Sequence, residues 1–512
     1  MQLSRKQFID AVARGAAGSV AASVPGGGTA VAGQRSGAQS PRSQGAAIKG
    51  ATDAVRTFIT DTDLRSMPAD VIAQGKRCLI DGFGVMLAGS TVTGSAIVRA
   101  YAKAATDKSE ATVLGAERLS TSAAQAAFAN GASGHAMDFD DTQLSTTPDR
   151  TFGLLTHPTI PALSASLAIA ERMGASGAAF LEAFLVGFEV ECKIAEAIDP
   201  AHYVRGFHTT GTVGAFGAAA AAAKLMKLSP EKIGHMLAIT SSLTGGIRVN
   251  FGSMTKPLHA ARAGENGIVA AELASRGFTG GDFGLDGQWG FFQVFGGGAD
   301  LDRIIPVLGK PYTIVNPGVS VKPYPCGVLS HPSLDAILKV VVDRDLKLEQ
   351  IKAVRLRAGS NILEPLRYKT AKTELEAKFC IPFLLSAIIL RRKAGMREFT
   401  DAFVSSAPVQ QMMGRVTAVF DAAIEAQGFD KIRSIVEVDL VDGRTLVQPS
   451  DDRYRGGPDK PFTRRELHAK FADCAELVMS SAQVARALAA IEAVDTIPDI
   501  RQLVRALAPG GR

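Results

Sequence analysis

Residues 157–177 read HPTIPALSASLAIAERMGASG. From Pro158 to Met173 the apolar residues recur at helical spacing, and Gly174 supplies a stop. Ser176 can cap a second helix, whose pattern runs from Phe180 to Ile198. The stretches downstream repeat this design. Ala215 to Met226 is rich in alanine, as suits a buried helix packed closely on its neighbours. Ser229-Pro230-Glu231 opens another helix, with serine as cap and proline in the first turn. Ala260 to Arg276 forms a further one, closed by Gly277. Helical period dominates from Thr52 to about residue 300.

Strand character enters only later. Ala353 to Ala358, Val416 to Phe420 and Ser434 to Leu440 alternate, and Asp442-Gly443 makes a hairpin turn into Thr445 to Gln448. After Gly456-Gly457-Pro458 the pattern is helical again to the end. A chain of 512 residues is too long for one compact core. The expected architecture is therefore mainly α. A large all-helical domain takes residues 48–309 and 454–512, and a smaller α+β lid domain of residues 310–453 is inserted into it.

Residues 1–47 differ from the rest. They are rich in Gly, Ala, Ser and Gln and lack a sustained apolar period, which predicts a disordered tail or a cleaved export signal. Ser4-Arg5-Lys6-Gln7-Phe8-Ile9 followed by an Ala/Val/Gly stretch resembles a twin-arginine signal with Lys6 in the second arginine slot. The signal would make the protein periplasmic; a plain tail would leave it cytoplasmic.

Composition narrows the function. Hydrophobic residues make up 46% and charged residues 21%, an ordinary globular balance. The apolar run from Phe383 to Leu390 is stopped by Arg391, Arg392 and Lys393, far short of the roughly 20 residues that span a bilayer. No membrane partner is expected. The net charge of +6 is scattered, so nucleic acid is not an expected partner, whereas a small anionic substrate suits it. The five cysteines are far apart and form no CxxC, which argues against a disulfide framework or a thiolate zinc site.

Histidine is scarce, with eight in the chain, and four lie in short polar or Gly-rich contexts: His135, His157, His208 and His259. The stretch from Asn130 to Thr142 carries His135, Asp138, Asp140 and Asp141, and a helix through it would set Asp138 and Thr142 on one face. Acids so close cannot all be comfortable as buried anions. His157 and His208 each precede a helix, where free N–H groups favour a carboxylate. Lys256 and Lys322 each stand beside a proline with a histidine nearby, as positioned cations would.

Taken together, these stretches resemble the MmgE/PrpD family of 2-methylcitrate dehydratases, cis-aconitate decarboxylases and iminodisuccinate epimerases. The matching text is GHAMDFDDT at 134–142, HPTIPALSASLAIAERMGASG at 157–177, GFHTTGTVGAFGAAAAAAKL at 206–225, TKPLHAARAGENG at 255–267 and VKPYPCGVLSHPSLDA at 321–336. EAKFCIPFLLSA at 376–387 and GGPDKPFTRRELHAKF at 456–471 also fit. The resemblance implies a helical domain with an α+β lid, a homodimer, a small polycarboxylate substrate, a site between the domains, and no metal or organic cofactor. It carries the site pattern onto Asp138, Thr142, His157, His208, Lys256 and Lys322. Two departures stand out. Gly327 replaces a histidine of the decarboxylase type, and Phe383 replaces a tyrosine, for which Tyr324 is the candidate substitute.

The expected chemistry is removal of a proton next to a carboxylate. His157 or His208 is the candidate base, and Asp138 would orient a histidine. Lys256 and Lys322 would stabilise the growing charge, with Thr142 and Tyr324 holding substrate oxygens. Dehydration is the leading outcome, with decarboxylation and epimerisation as alternatives. Two rivals are a metal-dependent hydrolase built on His135, Asp138, Asp140 and Asp141, and a polycarboxylate-binding protein that has lost its chemistry.

Overall fold

The computed structural model describes residues 49–117, 119–144, 156–429 and 431–508. The candidate export signal lies outside the described residues. The longer helices are α1 (Ala51–Asp61), α2 (Ala69–Gly89), α3 (Thr93–Ala104), α4 (Ala123–Ala136), α5 (Thr159–Met173), α6 (Gly177–Ile198), α7 (Gly214–Met226), α8 (Pro230–Leu243), α9 (Thr255–Ser275), α10 (His331–Asp343), α11 (Ile381–Arg391), α12 (Arg464–Ala475) and α13 (Ser481–Glu492). The strands are β1 (Ala111–Val113), β2 (Leu119–Thr121), β3 (Thr142–Gln143), β4 (Val319–Ser320), β5 (Ile351–Ala358), β6 (Val416–Phe420), β7 (Ser434–Leu440) and β8 (Thr445–Pro449).

The stop and cap signals act as the residues dictate. Gly174 ends α5 in the left-handed region at φ 62°. The Ser176 hydroxyl accepts from the Ala179 N–H at the start of α6. Helix α9 begins five residues before the expected Ala260, because Pro257 sits in its first turn, where a missing N–H costs nothing.

Two hydrophobic cores form. The first gathers α2 and α4 to α9, with Phe83, Phe180, Phe184 and Phe216 fully buried. The tail returns to this core: Phe471 of α12 packs on α2. The second core joins α10 and α11 to a sheet of order β6-β5-β7-β8, through Leu334, Val354, Phe383 and Val436. Strands β5 and β6 run parallel, while β7 is antiparallel to both β5 and β8. The fold is mainly α with a smaller α+β part. Among the described residues no single helix is long and apolar enough to cross a membrane.

A two-residue ladder joins two distant parts of the chain. Strand β3 pairs with β4, Thr142 opposite Ser320 and Gln143 opposite Val319. It ties the segment after α4 to the segment that carries Lys322.

Candidate active site

Helix α4 ends at Ala136, and Asp138 takes a left-handed φ of 49°. Aspartate tolerates that region better than most residues. The expected helical pairing of Asp138 with Thr142 is thereby overturned: the chain leaves the helix at Asp138, and Thr142 opens β3 instead.

Asp138 Oδ1 accepts from both lysines, from Lys256 Nζ at 2.9 Å and from Lys322 Nζ at 2.8 Å. The two cations differ in what they have left to offer. Lys322 also donates to the Asp138 carbonyl at 3.0 Å and the Cys326 carbonyl at 3.2 Å, so each of its ammonium hydrogens has an acceptor within the protein. Lys256 donates to Asp138 and lies 2.8 Å from His135 Nε2, which leaves one N–H.

His157 Nδ1 lies 2.9 Å from the Asp141 carbonyl oxygen. A carbonyl can only accept, so Nδ1 carries the proton and Nε2 keeps the lone pair. That Nε2 lies 3.9 Å from Asp138 Oδ1. Thr142 Oγ1 lies 3.4 Å from Nδ1, and the His157 N–H donates to Thr210 Oγ1 at 3.1 Å. His208 Nδ1 meets His259 Nδ1 at 2.9 Å, while the His208 Nε2 has no hydrogen-bond partner among the described residues.

Several of these groups line one cavity of about 530 Å³ of empty space, counting its mouth. Its polar wall holds Asp138, Thr142, His157, His208, Lys256 and Lys322, and its apolar wall holds Phe251, Val328, Leu366 and Phe379. The mixed polar and apolar lining suits a small ligand. Tyr324 does not belong to it. The hydroxyl of Tyr324 donates to Asp335 Oδ1 at 2.7 Å, and the cavity's phenol is Tyr203, which sequence reasoning missed. Thr156 and Thr210 were missed as well. Phe383 packs against Phe399 and Phe403 in the second core and does not line the cavity, so its missing hydroxyl removes nothing there. Gly327 does line it, and Leu366 stands where a side chain at 327 would go: a Cβ would lie 2.9 Å from Leu366 Cδ2.

Burial drives the titration of the site. It pushes Asp138 upward, but Lys256 and Lys322 outweigh it and hold that carboxyl well below the usual range. Burial pushes His157 well below the ordinary histidine value; Asp140 opposes, and Lys322 reinforces the fall. His208 is lowered well below that value by burial and then by Lys256. Both imidazoles are therefore neutral near pH 7. Asp141, whose carboxylate faces the Thr159 N–H and hydroxyl, is raised by burial to about 7.

Ligand atoms of His135, Asp138, Asp140 and His157 lie within 4.8 Å of one another. The set departs from the one expected for a hydrolase, because Asp141 is turned away to Thr159. Two ammonium groups within hydrogen-bond distance of Asp138 already supply the positive charge there, and a metal ion would have to displace them.

The chain is mainly helical, and one cavity of it brings together two lysines and two imidazoles. Residues 53–304 match the MmgE/PrpD N-terminal domain and residues 324–496 the MmgE/PrpD C-terminal domain. The chain belongs to the MmgE/PrpD family. It is similar to a cis-aconitate decarboxylase of Homo sapiens, 27% identical over 471 residues that cover 90% of this chain and 95% of the relative. A cis-aconitate decarboxylase-like protein oryM of Aspergillus oryzae is 26% identical over 473 residues, covering 87% and 95%. A cis-aconitate decarboxylase of Aspergillus terreus is 21% identical over 484 residues, covering 90% and 96%. The chain is an enzyme, a lyase of the dehydratase or decarboxylase type.

Proposed function

We propose that this lyase acts on a small polycarboxylate by moving a proton at the carbon next to a carboxylate, with no metal or organic cofactor, and that its net reaction is dehydration. The observation that carries the reading is the tautomer of His157. Its Nδ1–H is held by the Asp141 carbonyl, and its neutral Nε2 lone pair sits in a cavity beside Lys256. A neutral base fits proton abstraction better than proton delivery.

In this reading His157 Nε2 takes the proton, and negative charge grows on the adjacent carboxylate. The remaining N–H of Lys256 stabilises that charge. Thr142 and His208 hold substrate oxygens. Asp138, fixed by Lys322, keeps Lys256 in place. Loss of a neighbouring hydroxyl, protonated by the imidazolium, releases water and restores His157.

A second reading is decarboxylation of cis-aconitate, favoured by the names of the relatives. It runs the site in the other sense: His157 arrives protonated, gives its proton to the alkene carbon, and CO2 leaves. Incubation with 2-methylcitrate, citrate, cis-aconitate and iminodisuccinate, followed by NMR, separates the outcomes. Water loss from a hydroxy acid supports the first reading. CO2 release from cis-aconitate without any dehydration selects the second. Tight binding with no turnover of any of these acids would instead make the protein a binding protein.

A further inference from the structure

We infer that His135 and Asp140 are positioning residues that aim Lys256 at the substrate; the inference rests on the role proposed for Lys256 in catalysis. Neither residue lines the cavity, and both are buried, His135 at 1% exposure and Asp140 at 0%. They lie behind the site rather than in it.

The direction of each hydrogen bond is set by chemistry. Asp140 lies 2.8 Å and 3.0 Å from His135 Nδ1 through its two carboxylate oxygens. A carboxylate accepts, so His135 Nδ1 carries the proton and Nε2 is a lone pair. That lone pair faces Lys256 Nζ at 2.8 Å and can only accept from it. The ammonium is thus fixed by two acceptors, His135 Nε2 and Asp138 Oδ1. Two fixed N–H directions determine the third. Lys256 Nζ stands 5.3 Å from the ring centre of Phe251 and 5.8 Å from that of Phe379, and both rings line the cavity.

Without His135 the lysine would hang from Asp138 alone, free to swing about that contact. Asp140 also reaches the second ring: its Oδ2 lies 3.4 Å from His157 Nδ1. One buried carboxylate therefore fixes the histidine that aims the cation and helps to fix the one that carries the base.

The test compares two replacements. His135→Gln places an amide oxygen near the position of Nε2 and can still accept from Lys256. His135→Met fills similar space and cannot accept. The expected result is a fall in kcat of about 10²-fold or more for His135→Met, with KM changed far less, and recovery to within about tenfold of wild type for His135→Gln. Equal losses in both variants, in step with falling Tm, would overturn the inference and leave His135 a structural residue. Wild-type kcat in His135→Met would overturn it too. A readout independent of turnover is the His135 tautomer from ¹⁵N NMR of histidine-labelled wild-type protein. Protonated Nδ1 with an accepting Nε2 is expected, and protonated Nε2 would overturn the inference whatever the substrate. If the tautomer is as expected but no polycarboxylate is turned over, the proposed reaction fails and the geometry stands.

Discussion

Lys256 and Lys322 look equivalent in the sequence, each beside a proline, and the structure separates them. Lys322 commits all its N–H groups to Asp138 and Cys326, whereas Lys256 keeps one. Lys256→Met is expected to lower kcat/KM by about 10²-fold or more. Lys322→Met is expected to lower Tm more than Lys256→Met, because each breaks a buried pair with Asp138 but only the loss of Lys322 also strands two carbonyl groups, at a cost on the order of 3–5 kcal/mol. Steady-state kinetics beside thermal melts on both variants decide this; equal Tm losses would contradict the division of labour. The depressed His157 gives a pH expectation. The base must be neutral, and burial with Lys322 keeps it neutral below the ordinary value of about 6.5. The acid limb of kcat/KM should therefore lie below pH 6.5, and a limb at or above it would count against His157 as the base. Folding stability moves in the same direction. Above that value the ring is neutral in both states, and as pH falls through it the unfolded chain takes a proton that the folded chain refuses, so stability drops. Residue chemistry was legible where a charged or imidazole side chain stood in a Gly-anchored stretch, as at His208 between Gly206 and Gly211, or directly before a proline, as at Lys256 and Lys322. It was not legible for hydroxyls. Tyr324 and Tyr203 read alike in sequence, and only the second core's packing turns Tyr324 to Asp335 and leaves Tyr203 on the cavity.

Helix periods and punctuation were readable because they are local: Gly174, Ser176 and Ser229 do what their side chains require. What local signals could not give is the spacing between helices. The Gly- and Ala-rich text of α7 and α9 lets their backbones nearly touch. A Cβ at Gly267 would lie 2.5 Å from the Ala219 nitrogen and 2.5 Å from the Ala218 Cβ. Gly131 of α4 meets α9 in the same way, with Ala261 Cα at 2.9 Å. Two effects compete at Gly267. Helix propensity favours Ala over Gly by about 1 kcal/mol, while overpacking against a neighbour's backbone costs about 1–3 kcal/mol or more. Because the obstacle is backbone rather than the end of a flexible side chain, overpacking should win. Gly267→Ala is expected to lower Tm, and an unchanged or raised Tm in denaturation scans would contradict that packing. The β3–β4 ladder was equally hidden, since two residues carry no readable period, yet it is what sets Lys322 on Asp138.

At the scale of the whole molecule, the cavity draws on both cores. Asp138, His157 and Lys256 come from segments around the first, while Gly327, Leu366 and Phe379 come from segments around the second. The order of motifs along the chain was enough to give the family and the mainly α architecture. The reaction was not, because dehydration and decarboxylation call on the same groups in opposite protonation states. Cofactor independence has its own check. Prolonged chelator treatment should leave kcat/KM unchanged, and loss restored by zinc or manganese would contradict it. The most direct measurement tracks deuterium in D2O by NMR, with wild type and His157→Asn each supplied with 2-methylcitrate and cis-aconitate. The expected result is wild-type exchange at the carbon next to a carboxylate, reduced by about 10²-fold or more in His157→Asn at similar Tm. Equal exchange in both proteins, equal water loss from 2-methylcitrate in both, or conversion of cis-aconitate by wild type with no deuterium entering at the former alkene carbon, would contradict the claim that His157 moves a proton there.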